Sequence, residues 1–538
     1  MQALNAGDAM FLYSETPEQH QHMVGIIILD PSTAPKRFDM QELIDKSEEM
    51  TDAAPAYRQR LFHSPLSLSG PILVDDPDFD YRKHVRHIAV PAPGSDQQLA
   101  EIIADIASTQ LDRSRPLWET WYVSGLQGGK IAMVSKTHHC MADGVGGAET
   151  MMELFDFEAN PRKKRQKKAS KDKGKARPPT RLALFQEALK GRRNRTGSIE
   201  LINKSLKSML NKRTALKEST QTDLLPPGMT SIPKLRFNGQ ISRFRSVAFG
   251  SLPMADVKLI KNVFGVTLND AVLAACSIAL RNYLNAHGDT PQPIVCTVPV
   301  SLALKKGKDA KKDSDGANQV GMMDVKLPIE IKDPVKLIKE VHACTGEAKR
   351  VFEQSFEDLI NTTVSALPPQ IAARGLQFLS GRFVARFPIS NVAISNVPGS
   401  PIPLYIKGAK VIGNYPMGPV PNGVGLNITM MSYVDRLDYC VQSCRDKIPD
   451  PWKLAGFIDA AVSELKAATA KTGPRKKRTV TKKAKNKAKK AVAKKTVAKV
   501  KKTKPAAKKP VKKSTAKAKA KTKTIAKKTI AKRVKRKR

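Results

Sequence analysis

Apolar and polar positions change their period several times along this chain, and each change predicts an element. Met23–Leu29 is a short apolar run fit for a buried strand, and Lys130–Thr137 is another with a more polar end. Between them, Gln97–Leu111 places its apolar residues at helical spacing. Gly144-Val145-Gly146-Gly147 then opens a second helical stretch through Phe155. Residues 1–155 therefore predict one mixed α/β domain, and a second is expected over 236–473. There Thr267–Leu284 predicts a long helix with Thr267 or Asn269 near its N-cap. Ile294–Val300, Val392–Ser395 and Gly425–Val434 predict strands, and the polar stretch Lys305–Asp315 predicts an exposed loop.

The segments outside these domains are basic. Residues 161–177 hold ten Lys and Arg against Asp172 and run into Pro178-Pro179, as a solvated linker or surface loop does. Leu182–Lys212 is basic and mostly helix-forming, and Pro226, Pro227 and Pro233 close it, so 156–235 reads as a basic helical connector. Residues 474–538 are Lys/Ala/Thr/Val repeats with too little apolar surface to offset their ordering entropy. Such a tail is expected to be disordered on its own.

Composition sharpens this division. A chain of 538 residues suggests two core domains plus extras. Its formal charge of +44 suggests a nucleic-acid binder, but 32 of its 93 Lys and Arg and none of its 49 acids lie after residue 473. The body carries a net +12, which is ordinary for a globular chain. Six cysteines scattered over this length imply no disulfide framework. Cys440 and Cys444 stand four apart without a second pair at metal-ligand spacing, so no metal is expected. The N-terminus lacks the basic and apolar regions of a secretory signal, and no stretch approaches the roughly 18 apolar residues of a spanning helix. A soluble or peripheral, cytoplasmic protein is expected.

The richest local chemistry is Lys136-Thr137-His138-His139-Cys140-Met141-Ala142-Asp143-Gly144-Val145-Gly146-Gly147. A strand ends there and a glycine-rich turn leads into a helix, a junction where side chains face a cleft. Neutral imidazole suits proton abstraction near pH 7. Neighbouring residues on an extended segment point to opposite sides, so only one of His138 and His139 serves as a base. Asp143 has two available roles: a direct bond to His139, or a turn away to pair with a distant Arg and fix the loop. The tight backbone implied by Gly144 favours the second. Other readings of these residues are a buried, satisfied histidine pair, a metal site, or Cys140 as a nucleophile. The last is disfavoured because strand neighbours do not face each other.

His138-His139-x-x-x-Asp143-Gly144 resembles the active-site motif of the bacterial wax ester synthase/diacylglycerol acyltransferase family. Further blocks are similar in the same order. They include Asp8-Ala9-Met10-Phe11-Leu12, Asp75-Asp76-Pro77-Asp78-Phe79-Asp80, Arg115-Pro116-Leu117-Trp118-Glu119, Asn269-Asp270 and Asn318-Gln319-Val320. Ser395-Asn396-Val397-Pro398-Gly399 and Tyr415-Pro416 through Gly425-Leu426-Asn427-Ile428-Thr429 complete the series over about residues 5–465. The resemblance implies an α/β fold of two chloramphenicol acetyltransferase-like domains with a tunnel between them. It implies transfer of an acyl group from acyl-CoA, a co-substrate rather than a cofactor, to diacylglycerol or a fatty alcohol. His139 would be the general base, with no covalent intermediate, and His138 and Asp143 would hold the loop. Ser395 and Asn396 are the expected oxyanion donors. Pro116, Leu117, Trp118, Asn269, Asp270 and Gly144 are expected along the tunnel, although packing and helix capping would explain them equally.

Two other readings compete. One is a related enzyme with a polar acceptor: a polyketide, sugar or peptide carrier. The other is a nucleic-acid-binding protein, because the tail resembles the Lys/Ala-rich termini of linker histones and would bind phosphate non-specifically. The body holds no DNA-reading motif. An anionic membrane or lipid-droplet surface suits the tail equally, at about 1 kcal/mol per basic residue near the surface.

Overall fold

Runs rich in valine, isoleucine and leucine become the central strands of two six-stranded sheets, and amphipathic segments become the helices that cover them. The computed structural model describes residues 2–53, 55–62, 70–141, 154–160, 180–193, 221–228, 231–301, 320–355, 369–386 and 388–472. The basic stretch 161–177, the loop 305–315, most of the stretch from Gly144 to Phe155 and the tail from 474 lie outside the described residues. Among the described residues no single helix is long and apolar enough to cross a membrane.

A small sheet is formed by β1 (Gln2–Ala3), β3 (Gln59–Phe62) and β4 (Ile72–Asp75). The first large sheet contains β2 (His22–Asp30), β5 (Val85–Ala89), β6 (Trp118–Ser124) and β7 (Ile131–His138). The second is built on β8 (Arg245–Pro253), β9 (Ile294–Ser301), β10 (Val320–Leu327) and β11 (Val392–Val397). The chain then returns to the first sheet with β12 (Tyr405–Ile406) and β13 (Ala409–Met417). It goes back to the second with β14 (Leu426–Tyr433) and β15 (Arg436–Cys444). The strand orders are β12-β13-β2-β7-β6-β5 and β10-β9-β11-β14-β15-β8.

This crossing corrects the expected partition at residue 236. Residues 405–417 belong to the second half of the sequence but to the first sheet, where Tyr415 stands opposite Ile26. The physical reason is pairing: β2 has β7 on one side, and β13 satisfies the backbone groups on the other.

The helices follow from local chemistry. In chain order α1 is Ala6–Ser14, α2 Met40–Ala53, α3 Asp96–Ser108, α4 Arg181–Arg193 and α5 Met254–Phe264. Then come α6 (Leu268–Asn285), α7 (Pro334–Ser355), α8 (Pro369–Phe378) and α9 (Pro451–Thr472). Ser95 opens α3 with a capping box closed by Gln98, and Thr267 opens α6 with one closed by Asp270. Apolar residues of α3 pack both on Val24, Ile26 and Ile28 of the first sheet and on Val247 and Phe249 of the second. The described residues up to 472 therefore share buried contacts across both sheets as one compact unit. Buried polar bonds add to this. The Arg245 guanidinium on β8 donates to Glu18 O at 2.5 Å, and Asp438 on β15 accepts from Asn414 N–H on β13 at 2.8 Å.

Candidate active site

The motif begins where β7 ends. His138 is the last strand residue, in register with His22 on β2, and a single 3-10 turn, His139–Met141, follows. His139 N–H donates to Gln21 O at 2.8 Å, so the turn stays tethered to the start of β2. The two imidazoles face different surroundings. His139 stacks on Phe11 of α1 at 3.8 Å with the rings 13° apart. Beneath the turn, Leu12, Leu111, Leu117 and Cys140 form an apolar floor. Burial pushes the His139 pKa down to about 4, with the neighbouring His138 acting in the same direction. At neutral pH the ring is therefore uncharged, the form of imidazole that can accept a proton.

His138 points away from Phe11 into a buried polar cluster. Its Nδ1 accepts from Cys140 N–H at 3.2 Å, so the ring proton sits on Nε2, which lies 3.5 Å from Glu15 Oε2. Glu15 is the residue after α1, and its carboxylate is almost fully enclosed. Oε1 accepts from Gln21 N–H at 3.2 Å and lies 3.5 Å from His22 Nε2, while Oε2 pairs with Arg113. Burial alone would raise the Glu15 pKa, but His138, Arg113 and His22 outweigh it and hold the group well below the usual carboxylate range. Burial, followed by the charge of Lys136, drives the His22 pKa well down. Lys136 donates to the Ile106 and Thr109 carbonyls at 3.0 and 2.7 Å, which satisfies the C-terminal end of α3.

The sequence pattern points to His138 and His139 but not to Glu15, His22, Arg113 or the role of Phe11. Those residues come from α1, β2 and the loop before β6, so no spacing links them to the motif. The one available signal was Phe11, which already stood in one of the recurrent blocks. Asp143 and Gly144 lie outside the described residues, as do Asn318 and Gln319.

Other expected site residues resolve into supporting roles. Pro116 and Leu117 are buried, Leu117 in the floor beneath the motif, and His138 N–H donates to Leu117 O at 3.0 Å. Trp118 is buried, its indole N–H donating to Tyr57 O at 2.8 Å and its ring stacking on His84 at 4.6 Å inside the first domain's core. Asp270 is likewise taken up structurally. It caps α6 through Thr267, accepts from Thr345 Oγ1 at 2.6 Å and lies 2.7 Å from His342 Nδ1 of α7. Asn269 precedes it, half-buried, in the first turn of α6.

Ser395 and Asn396 cannot aim at one oxyanion together, because successive strand residues face opposite ways. Asn396 is in phase with the buried Val392 and Ile394 and stands opposite the core residue Met430. Ser395 stands opposite Thr429 on the other face, where Thr429 Oγ1 donates to Asn427 Oδ1 at 2.7 Å and accepts from Gly418 N–H at 3.3 Å. Among the described residues no group of three or more His, Cys, Asp or Glu side chains is arranged to hold a metal ion.

A two-sheet α/β body with a histidine motif at a strand end has clear relatives. The fold is that of the two-domain CoA-dependent acyltransferases. It matches a wax ester synthase/diacylglycerol acyltransferase from Marinobacter aquaeolei VT8 at a TM-score of 0.61 and 23% identity, covering 87% of this chain and 100% of that one. It also matches the trichothecene 15-O-acetyltransferase of Fusarium sporotrichioides at a TM-score of 0.52 and 14% identity, covering 87% and 94%. In sequence, residues 4–272 match the wax ester synthase/diacylglycerol acyltransferase catalytic domain and residues 316–466 its C-terminal domain. A Mycobacterium tuberculosis protein named as a diacylglycerol O-acyltransferase is 34% identical over 86% of this chain and 90% of its own. A second from the same organism is 30% identical over 90% and 98%. The chain belongs to the wax ester synthase/diacylglycerol acyltransferase family and is an acyltransferase.

Proposed function

We propose that the protein moves a fatty acyl group from acyl-CoA to diacylglycerol or a long-chain alcohol, with His139 as general base. The acceptor hydroxyl attacks the thioester carbonyl carbon as His139 takes its proton, a contribution of about 10²–10⁴-fold. A tetrahedral oxyanion forms; its collapse breaks the C–S bond, and the departing CoA thiolate recovers the proton. This sequence uses no acyl-enzyme. Ser395, on the face shared with Thr429, is the proposed donor to the oxyanion. Asp143 is assigned to fixing the loop.

The observation that carries this reading is His139 itself: a neutral imidazole stacked on Phe11, on a turn tied down at Gln21 O. The family relatives supply the substrate class. His139→Ala is expected to lower acyl transfer at least about 100-fold with the fold intact. Near-full turnover in that variant would remove His139 from the chemistry.

The tail after Gly473 is assigned to an anionic membrane or lipid-droplet surface, which would keep the enzyme peripheral to the cytoplasmic face where its acceptor collects. Its support is Coulombic: many basic side chains and no acid. Vesicles containing phosphatidylglycerol should pellet the full-length protein at low salt and the truncated protein far less. If truncation left vesicle binding unchanged and abolished a DNA shift instead, the tail would be a nucleic-acid anchor.

A further inference from the structure

The buried Glu15 cluster does more than the chemistry above asks of it. A carboxylate that is almost wholly enclosed is costly unless it is paired and hydrogen-bonded, and Arg113 and Gln21 N–H would suffice for that. Yet the same two oxygens also sit 3.5 Å from both His22 and His138, which are brought side by side by the β2–β7 register. The His138 contact has a consequence one residue further on. A neutral imidazole carries one ring proton, and the electrostatic neighbour of one nitrogen selects where it resides. A carboxylate anion at Nε2 keeps the proton there and leaves Nδ1 as an acceptor for Cys140 N–H. That bond lies inside the turn His139–Met141, whose other tether is His139 N–H to Gln21 O. Gln21 N–H is itself held by Glu15, so both tethers of the turn lead back to one carboxylate.

We propose that Glu15 is a positioning residue for acyl transfer: its ionised carboxylate holds His138 as the Nε2–H tautomer and thereby fixes the turn that presents His139. The inference rests on the reading of His139 as the base and adds to it. Glu15 touches no substrate; it acts through His138 and the backbone. Glu15→Gln keeps the shape and the acceptor for Gln21 N–H but replaces the anion with an amide that can offer His138 either a donor or an acceptor. Misplacing a catalytic group by about 1 Å costs on the order of 10²-fold in rate.

The test is a double-mutant cycle in the full-length enzyme, with kcat and KM measured separately for palmitoyl-CoA and a soluble alcohol. Glu15→Gln should lower kcat about tenfold or more, with KM moving less than about threefold. In a His138→Ala background the same substitution should change kcat less than about threefold, because the transmitting ring is gone. Equal losses in both backgrounds, or unchanged kcat in Glu15→Gln, overturn the proposal. His139→Ala is run beside them. If it abolishes turnover while Glu15→Gln does not alter kcat, positioning by Glu15 fails and the base assignment stands; if it retains turnover, the base assignment itself fails. Should the Glu15 variant not fold, ¹⁵N spectroscopy of histidine-labelled wild-type enzyme decides instead. The His138 signals are to be those of the Nε2–H tautomer, and an Nδ1–H tautomer or a rapid mixture of the two overturns the proposal.

Discussion

Proton affinity at His139 is set by what covers the ring. With its pKa near 4, the ring remains uncharged well below the ordinary histidine value of 6.5. The acid limb of kcat/KM for acyl transfer should therefore fall near pH 4, and Phe11→Ala, which uncovers the ring, should move it upward toward 6.5. A limb already at 6.5 in the wild type would contradict the buried, stacked ring. Stability behaves differently. His20, His22 and His139 bind protons more weakly folded than unfolded, so stability is lost as pH falls through about 6.5 toward each lowered value. Glu15, also depressed, contributes stability above its unfolded value of 4.5 that is lost below it. Melting followed from pH 7 to 4 should thus decline before activity does. His139 was legible in the sequence because its motif is contiguous. Glu15 was not, because its partners lie at positions 21, 22, 113 and 138 and only the fold assembles them. Glycines in the recurrent blocks were legible as residues but not as reasons. At Gly425, with φ of +72°, an added Cβ would sit 2.0 Å from Phe237 O, and at Gly399 it would sit 2.1 Å from Ser432 O.

At the scale of elements, the strand and helix periods set which face each block residue takes. On β11 the alternation separates Ser395 from Asn396, so Ser395→Ala should lower kcat by about 10²-fold and Asn396→Ala by less than about threefold. Equal effects of the two would mean that the strand twists out of its register there and would remove Ser395 from its assigned role. On α6 the capping box predicts the opposite signature. Asp270→Ala removes its half of the capping box and the bonds it accepts from Thr345 and His342, and should cost about 1–3 kcal/mol in denaturant unfolding. The kcat of the folded fraction should stay within a few-fold of wild type. A large loss of kcat at unchanged stability would return Asp270 to the substrate path. The helix and its N-terminal Thr267 were readable from sequence because capping is local. The bonds to α7 were not, since His342 and Thr345 stand more than 70 residues away.

Across the whole molecule, two sheets share a core, and the motif sits at the end of β7 in the first of them. The crossing of β13 into the first sheet left no mark in the sequence, because its alternation is the same whichever sheet it joins. The basic tail, in contrast, was set apart by composition alone. Deletion after Gly473 should leave turnover of soluble substrates nearly unchanged, and loss of that turnover would make the tail part of the enzyme. The central claim is that this two-domain body esterifies a lipid alcohol from acyl-CoA through His139. Its most direct measurement supplies purified enzyme with palmitoyl-CoA and either diacylglycerol or hexadecanol, following CoA release and lipid product together in wild type and His139→Ala. Wild type should release CoA in equal amount with triacylglycerol or wax ester, and the variant should form both at least about 100-fold more slowly. No ester from either acceptor, or a variant that keeps pace with wild type, would contradict it.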